Sequence, residues 1–197
     1  MICLNLYGGP GIGKSTLAAE LFTELKHRGI RTELVGEYAK ELVYEMAYNT
    51  MADQHYLFAE QAHRLWRLEK AGVEVAVCDS PLLLTLAYNR NADDNVFSKF
   101  VVDTYRGYMN LDYVLERNKH YWDMDKRKGD VQDAIQMDHK IDAILKDIWN
   151  KFPEKINVEL VPAIDEIANA VEDILESQEY EEPETPVKFS DEPWKTA

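Results

Sequence analysis

Apolar positions in this chain change period as it proceeds, and each change marks a strand or a helix. Ile2 to Tyr7 is an apolar run of strand length. After a glycine-rich loop, Leu17, Ala18, Leu21, Phe22 and Leu25 recur at helical spacing to about His27, where Arg28-Gly29 ends the pattern. Arg31 to Gly36 reads as a short strand. Glu37-Tyr38-Ala39-Lys40 then opens a helix continuing through Leu42, Val43 and Met46. Thr50-Met51-Ala52-Asp53 fits the capping-box pattern, so a helix should start there and run to about Lys70, with Leu57, Phe58, Ala62, Leu65 and Leu68 on its apolar face. Gly72 breaks it, and Val73 to Cys78 is a nearly continuous apolar run, as in a central strand of a parallel sheet.

The same alternation continues to about residue 175. Leu82 to Tyr88 reads as a short helix and Asn89 to Asn95 as a polar break. Val96, Phe97, Phe100, Val101 and Tyr105 mark a helix ending near Gly107, its aromatics read as core rather than as a stacking platform. Leu111 to Glu116 is the fourth strand. Ile141, Ile144, Leu145, Ile148 and Trp149 mark a long helix from about Gln132–Ala134 to Phe152-Pro153, and Ile156, Val158 and Leu160 a last strand. After Pro162, Ile164, Ile167, Ala168, Val171, Ile174 and Leu175 mark a final helix. Five strands alternating with helices predict a doubly wound α/β fold.

The loop between the first strand and helix is Gly8-Gly9-Pro10-Gly11-Ile12-Gly13-Lys14-Ser15-Thr16, which fits G-x-x-x-x-G-K-[ST] in its strand–loop–helix context. Glycines let successive backbone N–H groups turn toward one anion, and the following helix adds its positive end. Lys14 would then reach the β/γ-phosphates of a nucleoside triphosphate and Ser15 would place its hydroxyl on Mg²⁺.

Composition narrows the partners. A chain of 197 residues, 46% hydrophobic and 29% charged, fits one domain with a sizeable core. No apolar run approaches the ~18 residues of a transmembrane helix, and Met1 leads straight into a strand, so no signal peptide is expected. Cys3 and Cys78 fall in buried strands as small core residues, which fits a reducing cytoplasm. A net charge of −14 argues against binding along a nucleic-acid backbone. It does not argue against a nucleotide, since a local basic cluster can hold one phosphate chain.

Three polar positions and one polar segment stand out. Glu37 falls at the carboxyl end of the second strand, where ligand-contacting groups collect in open α/β sheets; an acid in a first helical turn has the same appearance. Gln61 borders an apolar face and needs a partner, either backbone or the polar edge of a substrate. Asp79 follows the third strand, where a Mg²⁺-orienting carboxylate is expected downstream of a phosphate loop; a cap ahead of Ser80-Pro81 is the plainer alternative. From Arg117 to Asp130 the chain is polar and irregular, with Arg117, Lys119, Lys126, Arg127 and Lys128 in a dense positive cluster. That cluster is either a solvated face or a lid closing over phosphates. Asn118-Lys119 lacks the Asp of a guanine-reading motif, since Tyr121 stands in its place.

With these residues the chain resembles the P-loop nucleoside and nucleotide kinases, and more narrowly the ribosylnicotinamide-kinase-like ATP-binding proteins (AAA-type) common in phage genomes. The resemblance rests on Gly8–Thr16, Glu37-Tyr38-Ala39-Lys40, Gln61, Asp79-Ser80-Pro81 and the Arg117–Arg127 stretch. It implies a sheet ordered 2-3-1-4-5, ATP on the phosphate loop, and an acceptor held between Glu37, the Gln61 helix and Asp79. Lys14, Ser15 and Asp79 would hold ATP and Mg²⁺, and Glu37 would be the base, a role it could exchange with Asp79. Arg117, Lys119 and Arg127 would close on the transferring phosphoryl group, with Lys40 and Lys119 on the substrate side. Two positions depart from the family pattern: Lys40 stands where Arg is frequent, weakening any bidentate clamp, and Ala163 where Gly is frequent.

The implied function is an ATP- and Mg²⁺-dependent phosphotransferase acting in the cytoplasm on a small nucleoside-like or nucleoside monophosphate acceptor. The alternatives are a nucleotide-binding regulatory ATPase or switch and, against the overall acidity, a kinase of hydroxyls within nucleic acid. The expected layout is a kinase-like domain at 1–176 with a lid at about 117–133, followed by an acidic tail at 177–197, disordered or peripherally docked.

Overall fold

The strand that leads into the phosphate loop, β1 (Ile2–Tyr7), lies at the middle of a five-stranded parallel sheet ordered β2-β3-β1-β4-β5, as the resemblance implied. Its companions are β2 (Thr32–Val35), β3 (Val75–Cys78), β4 (Met109–Val114) and β5 (Ile156–Val158). The structure is a computed structural model and describes residues 1–89, 95–117, 131–151, 156–158 and 163–177.

Both faces of the sheet are covered, which is why its inner strands carry apolar runs rather than alternation. Ile2, Leu4, Leu6, Val75 and Val77 pack against Ala18, Leu21 and Leu25 of α1 (Lys14–His27) and Ile167, Ala168 and Val171 of α8 (Ile164–Glu176). On the other face, Cys3, Tyr7, Ala76 and Cys78 join Phe58 and Leu65 of α4 (Gln54–Lys70), Ala87 of α5 (Leu84–Tyr88), Phe97 and Val101 of α6 (Asn95–Arg106), and Ile141 and Leu145 of α7 (Val131–Lys151). Each of the buried Val, Leu, Ile and Phe side chains among these contributes about 1.5–3 kcal/mol. Together the two layers fix the carboxyl ends of β1, β2, β3 and β4, where the candidate site forms. Both cysteines are free and buried, as expected of core residues.

One polar layer runs through the second core. Asn5 on β1 stands in register with Asp112 on β4 and donates to it at 2.8 Å and to Asn110 at 2.9 Å. Tyr105 Oη and Trp149 Nε1 donate to the other Asp112 oxygen. The carboxyl is fully buried, and burial pushes its pKa up in spite of these donors.

Several local expectations are corrected. The cap of α4 is Asp53, whose side chain accepts from the His55 and Tyr56 N–H groups, not Thr50. Thr50 lies instead within a one-turn helix, α3 (Tyr48–Met51). Both Asp and Thr suit a cap; Asp53 wins because the chain is extended there while Thr50 is already helical. Met46 lies outside α2 (Tyr38–Tyr44) at φ 56°, where the chain leaves the helix. Within α6, Phe97, Val101 and Tyr105 are buried, but Val96 is 83% and Phe100 60% exposed, because helical spacing alone does not say how wide the covered stripe is. The fourth strand starts two residues early, at Met109. Leu160, Pro162, most of the expected lid and the tail beyond Ser177 lie outside the described residues.

Candidate active site

The phosphate loop sits where β1 turns into α1. Gly13 occupies the N-cap with φ 107°, a left-handed conformation that L side chains rarely adopt. Its carbonyl accepts from the Thr16 and Leu17 N–H groups and so begins the helix. Lys14 curls back over the start of the loop, donating from Nζ to the Gly8 carbonyl at 2.7 Å and the Gly9 carbonyl at 3.1 Å. Burial lowers its pKa, while the carboxylates of Glu37, Asp79 and Asp138 pull it back up.

Because β3 lies beside β1, Asp79 emerges from β3 across from the loop. The Ser15 hydroxyl donates to Asp79 Oδ2 at 2.6 Å. Asp79 is 6% exposed, and its Oδ1 is buried without a hydrogen-bond partner. A buried carboxylate oxygen left open beside a serine hydroxyl and a phosphate cradle is a donor set that suits Mg²⁺, which takes one or two carboxylates together with substrate phosphates. Among the described residues no group of three or more His, Cys, Asp or Glu is placed to hold a metal by itself.

Next to β3, β2 delivers Glu37. It stands at the N-cap of α2 with extended backbone, and its side chain makes no capping bond. Two α4 side chains hold the residue before it: Gln61 Nε2 donates to the Gly36 carbonyl at 3.2 Å, and Arg64 Nη1 reaches the same oxygen at 3.4 Å. The need of Gln61 for a partner is thus met by backbone, and its 6% exposure lies at the wall of a cavity. That cavity, of about 1550 Å³, runs from the phosphate loop past Glu37, Lys40 and Asp79 to Tyr44, Tyr48 and Leu57. Tyr88 at the end of α5 lines it too, its phenol pushed up to about 12 by burial and by the nearby Glu37 and Asp138 carboxylates.

At the far side of the loop, Arg117 follows β4 and forms a two-bond fork with Asp138 on α7: Nε to Oδ2 at 2.7 Å and Nη2 to Oδ1 at 3.1 Å. Its Nη1 donates to the Pro10 carbonyl at 3.0 Å. Asp138 Oδ1 also accepts from the Gly9 N–H at 2.6 Å. A Cβ on Gly9 would lie 2.7 Å from that oxygen and 3.0 Å from the Ala134 carbonyl, so this position excludes a side chain. The structure brings Arg117 to the loop with Lys14, Ser15, Glu37 and Asp79; Lys119 and Arg127 lie outside the described residues. Sequence reading missed Asp138 and Tyr88. Asp138 sits 129 residues from Gly9 in an amphipathic helix, and no local pattern sets it apart from the other acids there.

Residues 3–158 match the family model described as AAA domain. The chain belongs to the AAA domain family. Solved structures similar to this AAA-domain chain include a thymidylate kinase from Ehrlichia chaffeensis, at 14% identity and a TM-score of 0.52, covering 89% of this chain and 97% of the other. They also include a deoxyadenosine kinase from M. mycoides with bound dATP, at 18% identity and a TM-score of 0.46, covering 90% and 100%. The first of these likenesses establishes a P-loop nucleoside/nucleotide-kinase-like fold for this AAA-domain chain. No curated protein matches the sequence. No helix among its described residues is long and apolar enough to cross a membrane.

Proposed function

We propose that this AAA-domain protein is an ATP- and Mg²⁺-dependent phosphotransferase acting on a small nucleoside or nucleoside monophosphate. The observation that carries the reading is the cavity. Pockets for one small ligand run to about 300–1,000 Å³, whereas this one is about 1550 Å³ and joins the phosphate loop to the space between α2, α4 and α5. That is room for a triphosphate and an acceptor side by side.

The roles follow from placement. The loop N–H groups and Lys14 hold the phosphate chain, and Ser15 and Asp79 supply ligands for Mg²⁺. Held there, Mg²⁺ would supply charge neutralisation along the phosphate chain. Glu37 lines the cavity together with the phosphate loop and Asp79, and in this reading it accepts or orients the acceptor hydroxyl proton. Arg117 stabilises charge at the transferring end, and its contact with Pro10 already puts it at the loop. Lys40 and Gln61 line the acceptor side together with Tyr44 and Tyr48, aromatic side chains of the kind that stack on a base. Positioning and electrostatics do most of the work in phosphoryl transfer, so this short set of side chains suffices.

The test is transfer of labelled phosphate from ATP to a panel of nucleosides, nucleoside monophosphates and ribosylnicotinamide. One phosphorylated acceptor class supports the reading. ATP hydrolysis with no acceptor phosphorylated would replace it with a nucleotide-dependent switch.

A further inference from the structure

Asp138 is a carboxylate placed among the groups that a phosphate loop reserves for phosphate, and the reaction as described above gives it no part. It accepts the Gly9 N–H at 2.6 Å and both near nitrogens of Arg117 at 2.7 and 3.1 Å. The pair is largely withdrawn from water, with the Arg117 side chain 12% and the Asp138 side chain 21% exposed. A buried guanidinium held by a fork has one orientation, which a single bond or a solvated charge does not impose. Here that orientation turns Nη1 onto the Pro10 carbonyl.

Which part of a bound nucleotide this arginine meets can be read from Lys14. Its ammonium, the group that reaches the β/γ-phosphates, rests on the carbonyls of Gly8 and Gly9. The Gly8–Gly9–Pro10 edge is therefore the end of the loop nearest the terminal phosphates. It is the same edge that Asp138 and Arg117 grip, and both contribute to the field at Lys14.

We propose that Asp138 is a positioning residue that aims Arg117 at the γ-phosphate, and that through this pair the protein distinguishes a nucleoside triphosphate from a diphosphate. The inference rests on the phosphate-loop reading above but not on the acceptor. Asp138 acts through Arg117, so removing its charge and removing the guanidinium have the same consequence. Asn at 138 can still accept the Gly9 N–H through its amide oxygen. Its NH₂ group faces the guanidinium and cannot close the fork.

The experiment measures equilibrium binding of ADP and of a non-hydrolysable ATP analogue, with Mg²⁺, to the wild-type protein, Asp138→Asn, Arg117→Ala and the double variant. The wild type should favour the triphosphate by at least about tenfold, the size of one well-placed charged contact. Each single variant should lose most of that preference while ADP affinity stays within about threefold. The double variant should match the singles, since residues acting as a unit are not additive. Wild-type preference in Asp138→Asn overturns the proposal, as do additive losses in the double variant or a wild type indifferent to the γ-phosphate.

Should Asp138→Asn fail to fold, Arg117→Lys carries the same test, because lysine keeps the charge but cannot form the fork. A loss equal to that of Arg117→Ala then supports the proposal, and retained preference overturns it. Binding without preference sinks this inference and leaves the kinase reading standing. A clear preference with no acceptor phosphorylated in the transfer panel sinks the kinase reading alone.

Discussion

The Ser15 hydroxyl and the Asp79 carboxylate are joined across the end of the sheet by a 2.6 Å hydrogen bond that leaves the second Asp79 oxygen buried and unmatched. Native proteins seldom leave such an atom without a partner, and the Mg²⁺ proposed above would supply one. Asp79→Asn should lower ATP turnover by about 10²–10³-fold, the range seen when one preorganised electrostatic group is removed. It should also raise the Mg²⁺ concentration needed for half-maximal rate. A titration of rate against Mg²⁺ checks both, and an unchanged metal requirement would take Asp79 out of the metal site.

Glu37 and Lys14 lie in one cavity and should separate cleanly in kinetics. Glu37→Gln should cut transfer by about 10²–10⁴-fold, the usual contribution of a general base, while ATP affinity stays within a few-fold. Lys14→Ala should weaken ATP binding itself. Direct binding and single-turnover measurements on both variants decide the matter. Equal loss of ATP affinity in the two would assign Glu37 to nucleotide binding rather than to the acceptor.

Lys14 also sets a pH dependence. Burial lowers its pKa from the ordinary 10.5, so the charge that phosphate needs disappears earlier on the alkaline side than for an exposed lysine. Nucleotide affinity should be fully developed near neutrality and should fall as pH rises through the lowered pKa, ahead of 10.5. ADP dissociation constants measured from about pH 7 to pH 10.5 test this. Lys14→Met should show weaker binding without that alkaline limb.

Asp112 offers a stability test. Its folded pKa is raised above 3.8, so the folded protein binds this proton more tightly than the unfolded chain does. The stabilisation that follows is complete below the unfolded pKa and is lost as pH rises through the folded one. Relative to an Asp112→Asn variant, the wild type should therefore lose unfolding free energy as pH increases from about 3.8. Urea denaturation of both proteins across that range gives the difference directly. A constant difference would mean that the carboxyl titrates as it does in the unfolded chain.

What could be read from the chain follows the range of the forces involved. The phosphate loop and the strand ends carrying Glu37 and Asp79 were legible because glycine spacing and long apolar runs are local features, whereas the sheet order came only from the resemblance to P-loop kinases. Asp53 was hidden by a neighbouring Thr50 that suits the same role. Val96 and Phe100 share their spacing with buried Phe97 and Val101, and only the packed neighbours decide which are covered. Asn110 and Asp112 lie in a strand that reads as ordinary, yet they form a buried polar layer whose partners come from β1, α6 and α7. Asp138 shows the limit most clearly: its partners are a glycine and an arginine brought together only by folding.

Finally, β1 hydrogen-bonds to a neighbour along each edge, β3 and β4, and Ile2, Leu4, Leu6 and Tyr7 have no solvent exposure at all. Its amide protons should be among the last in the molecule to exchange with deuterium, through openings that approach global unfolding. The phosphate loop is therefore tethered to the slowest-opening part of the protein, while Tyr44 and Tyr48 across the cavity are 75% and 57% exposed. Isotope exchange should find one wall of the cavity fixed and the other quick to open.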